Sequence, residues 1–164
     1  METIILTWTE PQNVYALKGF VNERYKGVYI WGFNIDNFIP YYVGVSNNII
    51  RRLFGHINFI IGGKYTIFHK NSLNNIIESK KQGLQKDRTK GIIYLPNWPA
   101  GYTEFIKDKE ILNEHIDFMI DKFVFSFAPV LDDKSKTDLE EIEKICINKI
   151  GLERLGNTKA GKAN

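Results

Sequence analysis

Apolar and polar positions first follow a strand pattern over Gly27–Phe33, where side chains alternate with the two-residue period of a half-buried β-strand. The polar segment Asn34–Asn37 is typical of a turn, and Ile39–Val45 has the composition of a returning strand. The pattern therefore predicts a β-hairpin, in which Tyr29 and Tyr42 lie on neighbouring strands.

The period changes to that of a helix over Asn48–Ile61. The apolar face of this predicted helix consists of Ile49, Ile50, Leu53, Phe54 and Ile57. Arg52 falls on one flank of that face, one turn before His56, whereas Arg51 falls on the opposite flank. Helical spacing alone therefore separates the two adjacent arginines. A pair of glycines follows and marks the end of the helix.

Three other segments have weaker patterns. Thr9 followed by Pro11 predicts a helix start that leads into Gln12–Gly19. Gly91–Leu95 is compatible with a strand, and Glu104–Ile120 with one more helix.

A third strand and a final helix are predicted near the C-terminus. Phe123–Phe127 alternates in the strand manner and stops before Pro129. For the helix after it we expect a capping box, with Thr137 as the N-cap and Glu140 reaching back to its amide.

The final helix also carries an acidic residue in an unusual position. Its buried stripe is predicted to consist of Leu139, Ile142, Cys146 and Ile150. Glu141 points away from that stripe, whereas Glu143 falls between the stripe and Ile147. An acid at the margin of an apolar face needs a reason. Because Glu140 already has a capping role, Glu143 is the candidate for chemistry.

Length and composition favour one domain, because 164 residues can bury a single core but are few for two. The single cysteine, Cys146, excludes an intrachain disulfide and fits a reducing compartment. No apolar run is long enough to cross a membrane, so we expect a cytoplasmic protein. His69 and His115 have no companion at metal-ligand spacing and are expected to be surface or loop residues.

The net charge of +3 permits nucleic-acid binding without demonstrating it. The distribution of charge is more informative, because the segment from Lys64 to Lys90 carries seven basic residues against two acidic ones. Such a segment can follow a phosphate backbone, and a solvated basic face is the alternative. The basic residues are Lys64, Lys70, Lys80, Lys81, Lys86, Arg88 and Lys90.

The residues singled out by spacing match the needs of phosphodiester hydrolysis, which are a water, a base and a cation that offsets charge on the phosphate. Glu143 can hold a hard divalent ion such as Mg2+ or Mn2+. Arg52 can bind phosphate oxygens through its planar fork. Tyr29, Tyr42 or His56 can accept or relay the proton of the water. Taken singly, each residue has a plainer explanation in packing, solvation or ion pairing, and only the combination favours a site.

Two triplets give the chain a resemblance to a known family. Gly27-Val28-Tyr29 and Tyr42-Val43-Gly44 resemble the triplets that define the GIY-YIG nuclease superfamily, with valine in place of isoleucine in both. Ser46 with Asn48 follows the second triplet as in the family, and Arg52 stands eight residues after its glycine.

The resemblance extends to His56, one turn after the arginine, and to Glu143 on a later helix. Asn157 is a weaker match to an asparagine near the end of the family's domain. The fold that the resemblance implies is α+β, with a small three-stranded antiparallel sheet flanked by helices. The whole chain would form one such domain, with an N-terminal extension over 1–25 and a basic insertion over 62–122.

The mechanism that the resemblance implies is hydrolysis with one metal ion. Tyr29 would be the general base with His56 assisting, although which of these two residues takes the proton stays open. Arg52 would bind the phosphate, Tyr42 would support the site, and Glu143 would hold Mg2+ or Mn2+.

The architecture looks like that of small type II restriction endonucleases of this superfamily, acting on duplex DNA alone or as a homodimer. Recognition would come from the basic segment and Asn157, with aromatic contacts from Tyr65, Tyr94, Trp98 or Tyr102. A structure-specific repair nuclease, an RNase, a nucleic-acid-binding module without turnover and a structural or protein-binding protein are the alternatives.

Overall fold

The computed structural model describes residues 5–70, 92–94, 109–130, 133–151 and 155. Contacts divide the chain into two compact units, residues 1–53 with 123–164 and residues 54–122. Within the described ranges, no helix is both long enough and apolar enough to cross a membrane.

The described elements alternate between short strands and helices. In chain order they are β1 (Gln12–Asn13), a 3-10 helix (Val14–Phe20), β2 (Gly27–Asn34), β3 (Phe38–Ser46), α1 (Ile49–Ile61), β4 (Ile67–Phe68), β5 (Ile92–Tyr94), α2 (Lys109–Lys122), β6 (Phe123–Pro129) and α3 (Lys136–Ile150).

The first unit is built on an antiparallel sheet with the strand order β1-β6-β2-β3. The predicted hairpin is β2–β3, and the predicted third strand is β6, which pairs with the other side of β2. The sheet has four strands rather than three, because Gln12 and Asn13 pair with Phe125 and Val124. A strand of two residues is too short to show an alternating pattern, so the sequence gives no sign of it.

A β-bulge interrupts the β2–β3 hairpin. Trp31 pairs with Tyr42 and Gly32 pairs with Pro40, so Tyr41 is the extra residue. Both tyrosine rings contact the Trp31 ring, at centroid distances of 5.0 Å for Tyr41 and 6.0 Å for Tyr42. The bulge therefore packs two consecutive aromatic side chains against one indole.

The two faces of the sheet carry different side chains. On one face Val28, Val43 and Ala128 form a buried cluster with α3 residues Ile142 and Ile147. Successive residues of a strand point to opposite faces, so the other face carries the aromatic residues of β2 and β6. These aromatic residues are Tyr29, Trp31, Phe33, Phe123, Phe125 and Phe127, and all of them are buried.

The N-terminal segment differs from its prediction, because Thr9 does not start a helix. Its backbone amide donates to the Phe127 carbonyl at 2.9 Å, and its hydroxyl oxygen accepts from the Phe127 amide at 3.1 Å. The 3-10 helix starts later, where Asn13 is the N-cap and its side chain accepts from the Ala16 amide at 3.2 Å. Thr9 is thus hydrogen-bonded to β6 and is not part of a helix.

Helix α3 also begins earlier than predicted. Its N-cap is Ser135 rather than Thr137, and the reciprocal residue is Asp138 rather than Glu140. Ser135 Oγ accepts from the Asp138 amide at 3.2 Å, and Asp138 Oδ2 accepts from the Ser135 amide at 2.6 Å. The sequence carries two candidate capping boxes two residues apart, Ser135 with Asp138 and Thr137 with Glu140. The box with the shorter acid, Asp138, is the one that forms both hydrogen bonds.

The second unit contains the remainder of α1, the antiparallel pair β4–β5 and helix α2, which packs on β4. Strand β5 confirms the strand predicted at Gly91–Leu95. Helix α2 confirms the predicted helix but ends at Lys122 rather than Ile120. Helix α1 itself ends as predicted, with Gly63 in the left-handed region at φ 65°.

Candidate active site

The two triplet glycines sit where any side chain would collide with a neighbour. A Cβ at Gly44 would lie 2.5 Å from the Tyr29 Oη and 2.8 Å from the Tyr42 Cε1. A Cβ at Gly27 would overlap the Ala128 carbonyl oxygen, and Gly27 also has φ 154°. Gly44 therefore makes room for the two tyrosine rings, while Gly27 allows β6 to approach β2.

Tyr29 and Tyr42 come together on the aromatic face of the hairpin. Their rings stack with a centroid distance of 6.3 Å and an interplanar angle of 27°. Tyr29 pairs with Gly44 across the hairpin and is 1% exposed, whereas Tyr42 is half-buried and pairs with Trp31. The predicted meeting of the two tyrosines is confirmed.

Arg52 joins this pair from helix α1. The pKa of Arg52 is raised above its ordinary value: burial alone would lower it, but hydrogen bonds and Coulombic attraction with Tyr29 and Tyr42 outweigh burial. The neighbouring Arg51 is exposed, in agreement with the helical-wheel prediction. The guanidinium that spacing selected is therefore the one held by both phenols.

The two residues between the hairpin and α1 set the start of that helix. Ser46 Oγ accepts from the Asn48 amide at 2.9 Å, and Asn48 Oδ1 accepts from the Arg51 amide at 3.0 Å. This is the pattern of an N-cap, which satisfies an amide that the helix leaves unpaired. Ser46 and Asn48 thus act by fixing the helix that carries Arg52.

The electrostatic surroundings distinguish the adjacent residues Tyr41 and Tyr42. Burial raises the pKa of Tyr41 to about 12, so its phenol stays protonated. The pKa of Tyr42 is also raised, by burial and by the charge of Glu143, but Arg52 opposes this shift through its charge and a hydrogen bond. Arg52 is therefore a cation that favours the ionised form of Tyr42.

Glu143 is a buried carboxyl group without an obvious structural reason. It is 2% exposed, and among the described residues its Oε2 atom has no hydrogen-bond partner. Burial and the charge of Glu140 raise its pKa to about 7, and Arg52 partly offsets them. A buried, unpaired carboxylate oxygen destabilises a fold unless it binds something.

The donor set of the first unit fits one hard divalent ion better than a soft one. Glu143 supplies a carboxylate oxygen, the preferred ligand type of Mg2+ and Mn2+, and Mg2+ commonly uses one or two carboxylates while keeping its waters. Over the described ranges, no cluster of three or more His, Cys, Asp or Glu side chains could hold a metal. Glu143 is therefore a candidate for a largely hydrated ion.

His56, one turn after Arg52 on α1, lies in the second unit and is 1% exposed. Its Nδ1 is 2.6 Å from the hydroxyl oxygen of Tyr65, and the two rings stack at a centroid distance of 5.8 Å. Tyr65, which the sequence suggested as an aromatic contact for nucleic acid, is thus engaged with a predicted site residue.

His115 is not the surface or loop residue that we expected. It lies on α2, is 3% exposed, and its ring is 4.6 Å from the His69 ring. Its Nδ1 accepts from the Lys70 amide at 3.2 Å. Burial and the neighbouring His69 lower its pKa. Sequence spacing missed this contact because the two histidines are far apart along the chain.

Two residues of the predicted basic surface lie in the described part of the chain. The Lys64 ammonium stands 5.1 Å from the Phe59 ring centroid, and the Lys70 ammonium forms an ion pair with Glu114. Other predicted contacts lie outside the described residues: Lys80, Lys81, Lys86, Arg88, Lys90, Trp98, Tyr102 and Asn157.

The sequence did not single out Trp31 as part of the site. Its indole stacks on Tyr42 at an interplanar angle of 21° and on Phe123 at 22°. Its place two residues after Tyr29 in an alternating strand is the signal that could have identified it.

Comparison of the chain with protein-family models, with curated proteins and with solved structures gives no match.

Proposed function

We propose that this protein is a metal-dependent endonuclease that hydrolyses DNA phosphodiester bonds, of the type that the GIY-YIG resemblance implies. The observation that carries the proposal is the Arg52 guanidinium held by the phenols of Tyr29 and Tyr42, together with the charge coupling of Arg52 and Tyr42 to the buried carboxyl of Glu143. A cation, proton-accepting oxygens and a metal-type ligand are the parts that phosphodiester hydrolysis needs.

Arg52 binds the scissile phosphate in this proposal. A guanidinium matches two phosphate oxygens and keeps its charge at every pH at which proteins are stable. Its contacts with Tyr29 and Tyr42 hold it in place before substrate arrives, so little reorganisation is needed in the transition state. Those contacts support the assignment of Arg52 rather than Arg51.

Tyr29 takes the proton of the attacking water, and Tyr42 supports it. The Tyr29 phenol lies against Arg52, and Gly44 leaves space for its oxygen. Tyr42 stacks on Tyr29 and on Trp31, so the bulged strand fixes the position of both phenols. The participation of His56 in the same reaction stays a prediction.

Glu143 would hold Mg2+ or Mn2+. Such an ion supplies a more acidic bound water and positive charge against the phosphate. The buried Oε2 without a hydrogen-bond partner in the described part of the chain supports this role. Because the pKa of Glu143 is raised to about 7, binding a cation competes with binding a proton at neutral pH.

The proposed substrate is duplex DNA, and the proposed biological role is restriction. Recognition is assigned to the basic segment between Lys64 and Lys90, because its excess of basic residues suits contact with a phosphate backbone. A repair nuclease and a binding module of the same fold are the competing proposals.

Digestion of a long duplex DNA of mixed sequence, with Mg2+ and in parallel with EDTA, tests the proposal. We expect Mg2+-dependent products whose sequenced ends share one short motif. Products with unrelated ends would support the nuclease activity and exclude the restriction role. Binding without product at any enzyme concentration would identify a binding module, and failure to bind DNA at low salt would reject the proposal altogether.

A further inference from the structure

The hydrogen bond between His56 and Tyr65 is short enough to favour one direction. The Nδ1 to Oη distance is 2.6 Å. Bonds donated by a hydroxyl have lengths of roughly 2.5–3.0 Å, whereas bonds donated by a nitrogen are usually about 2.9–3.0 Å and seldom below about 2.7 Å. This distance favours a bond in which the Tyr65 hydroxyl donates and Nδ1 accepts.

The direction of this bond fixes the protonation form of the imidazole. A neutral imidazole has one N–H and one acceptor nitrogen. If Nδ1 is the acceptor for Tyr65, the proton of neutral His56 is on Nε2. The stacked arrangement of the two rings, at an interplanar angle of 24°, and the burial of His56 hold this geometry.

We propose that Tyr65 is a positioning residue that keeps His56 in its Nε2–H form, so that His56 serves as a hydrogen-bond donor and not as a general base. An imidazole in this form has no acceptor nitrogen left for the proton of a water. Of the two candidates for the base that the sequence left open, Tyr29 is then the one that this proposal retains. The catalytic part of this inference rests on the proposed nuclease function, whereas the Tyr65 and His56 pairing does not.

Nitrogen-15 NMR of the uniformly labelled chain tests the pairing without any assay of activity. The chain has three histidines, so the imidazole signals of His56 can be assigned by comparison with His56→Ala. At a pH about two units above the ordinary imidazole value of about 6.5, we expect an unprotonated Nδ1 and a protonated Nε2 for His56. In Tyr65→Phe we expect a mixture of the two tautomers, and in the exposed control Tyr15→Phe no change.

A protonated Nδ1 in the wild-type chain would overturn the proposal, and so would an unchanged His56 pattern in Tyr65→Phe. Unchanged chemical shifts of His69 and His115 show that the variant is folded. A change at His56 then reports the lost hydroxyl.

A double-mutant cycle tests the catalytic part. Tyr65→Phe should lower kcat of DNA cleavage roughly three- to ten-fold, the ordinary effect of one hydrogen bond, with little change in KM. In a His56→Ala background the same substitution should have no effect, because Tyr65 acts through His56. Equal effects in both backgrounds would overturn the positioning role. Absence of cleavage by the wild-type chain would instead reject the nuclease function, and the NMR result would still decide the pairing.

Discussion

The candidate site depends on where individual charges and rings lie. Arg52 differs from Arg51 only by one position on a helix, yet it contacts both phenols while Arg51 is exposed. Glu143 lies two positions after the exposed Glu141, yet it is buried, and its Oε2 has no hydrogen-bond partner among the described residues. These neighbours give each site residue a matched control.

Glu143 should make the stability of the fold decrease with pH. Its pKa is about 7 in the folded chain, against an ordinary 4.5, so between these values the folded state binds the proton more tightly than the unfolded state. Stability is then highest below the ordinary pKa and falls as pH rises through about 7. Glu143→Gln removes this loss, which is on the order of 2 kcal/mol.

Urea unfolding in EDTA from about pH 4 to about pH 8 measures this effect. The difference in unfolding free energy between Glu143→Gln and wild type should shift in favour of the variant as pH rises. Glu141→Gln should follow the wild-type curve because Glu141 is exposed. Parallel curves for all three proteins would show that Glu143 does not titrate in this range.

Gly44 should not tolerate even one methyl group. A Cβ there would approach Tyr29 Oη and Tyr42 Cε1, and Tyr29 is too buried to swing aside. We expect Gly44→Ala to lose about 1–3 kcal/mol of stability and to cleave DNA more slowly. Gly19→Ala, which meets nothing within 4 Å, should change stability by less than about 0.5 kcal/mol. Equal unfolding midpoints for the two variants would contradict the packing described for the tyrosines.

Site residues could be predicted from the sequence where helical or strand periodicity places them. Helical spacing selected Arg52, and Glu143 was singled out by its position at the margin of an apolar face. The burial of Glu143 is a finding of the structure. The role of Tyr65 was beyond that reasoning, because it depends on a bond between a helix and the chain that follows it. The contact of His69 with His115 was missed because the two residues are far apart along the chain.

At the scale of elements, long periodic segments were predicted well and short ones were not. The hairpin, α1, β6 and α3 all appear close to their predicted positions. Strands β1 and β4 have two residues each, so their pairing comes from tertiary contacts rather than from pattern. The bulge at Tyr41 was equally invisible, although it brings both tyrosine rings onto Trp31.

The start of α3 provides a prediction that separates the two candidate caps. Ser135→Ala removes the hydroxyl that accepts from the Asp138 amide and should destabilise the fold by about 1 kcal/mol. Thr137→Ala, which was the expected cap, should change stability by less than about 0.5 kcal/mol because Thr137 is an exposed residue inside the helix. Thermal unfolding of the two variants decides, and a larger loss in Thr137→Ala would move the cap to Thr137.

At the scale of the whole molecule, the chain consists of a sheet unit and a second unit inserted between Leu53 and Phe123. Tyr29, Tyr42, Arg52 and Glu143 lie in the sheet unit, and His56 and Tyr65 lie in the second unit. The hairpin, the third strand and the helices were predictable from local periodicity, whereas the α+β class with an antiparallel sheet was what the resemblance implied. Substrate specificity was not predictable, because base recognition depends on side-chain geometry that a single sequence does not encode.

Arg52 and Glu143 are proposed to act on a phosphodiester, and single-turnover cleavage of duplex DNA with Mg2+ is the experiment that tests these two roles. We expect Arg52→Ala and Glu143→Gln each to slow cleavage by at least about a hundred-fold, as the loss of a preorganised charge in an active site does. Arg51→Ala and Glu141→Gln, the exposed neighbours, should cleave within a few-fold of wild type. The proposed roles of Arg52 and Glu143 would be contradicted by full activity in Arg52→Ala or Glu143→Gln. They would also be contradicted if wild type did not cleave at any Mg2+ concentration.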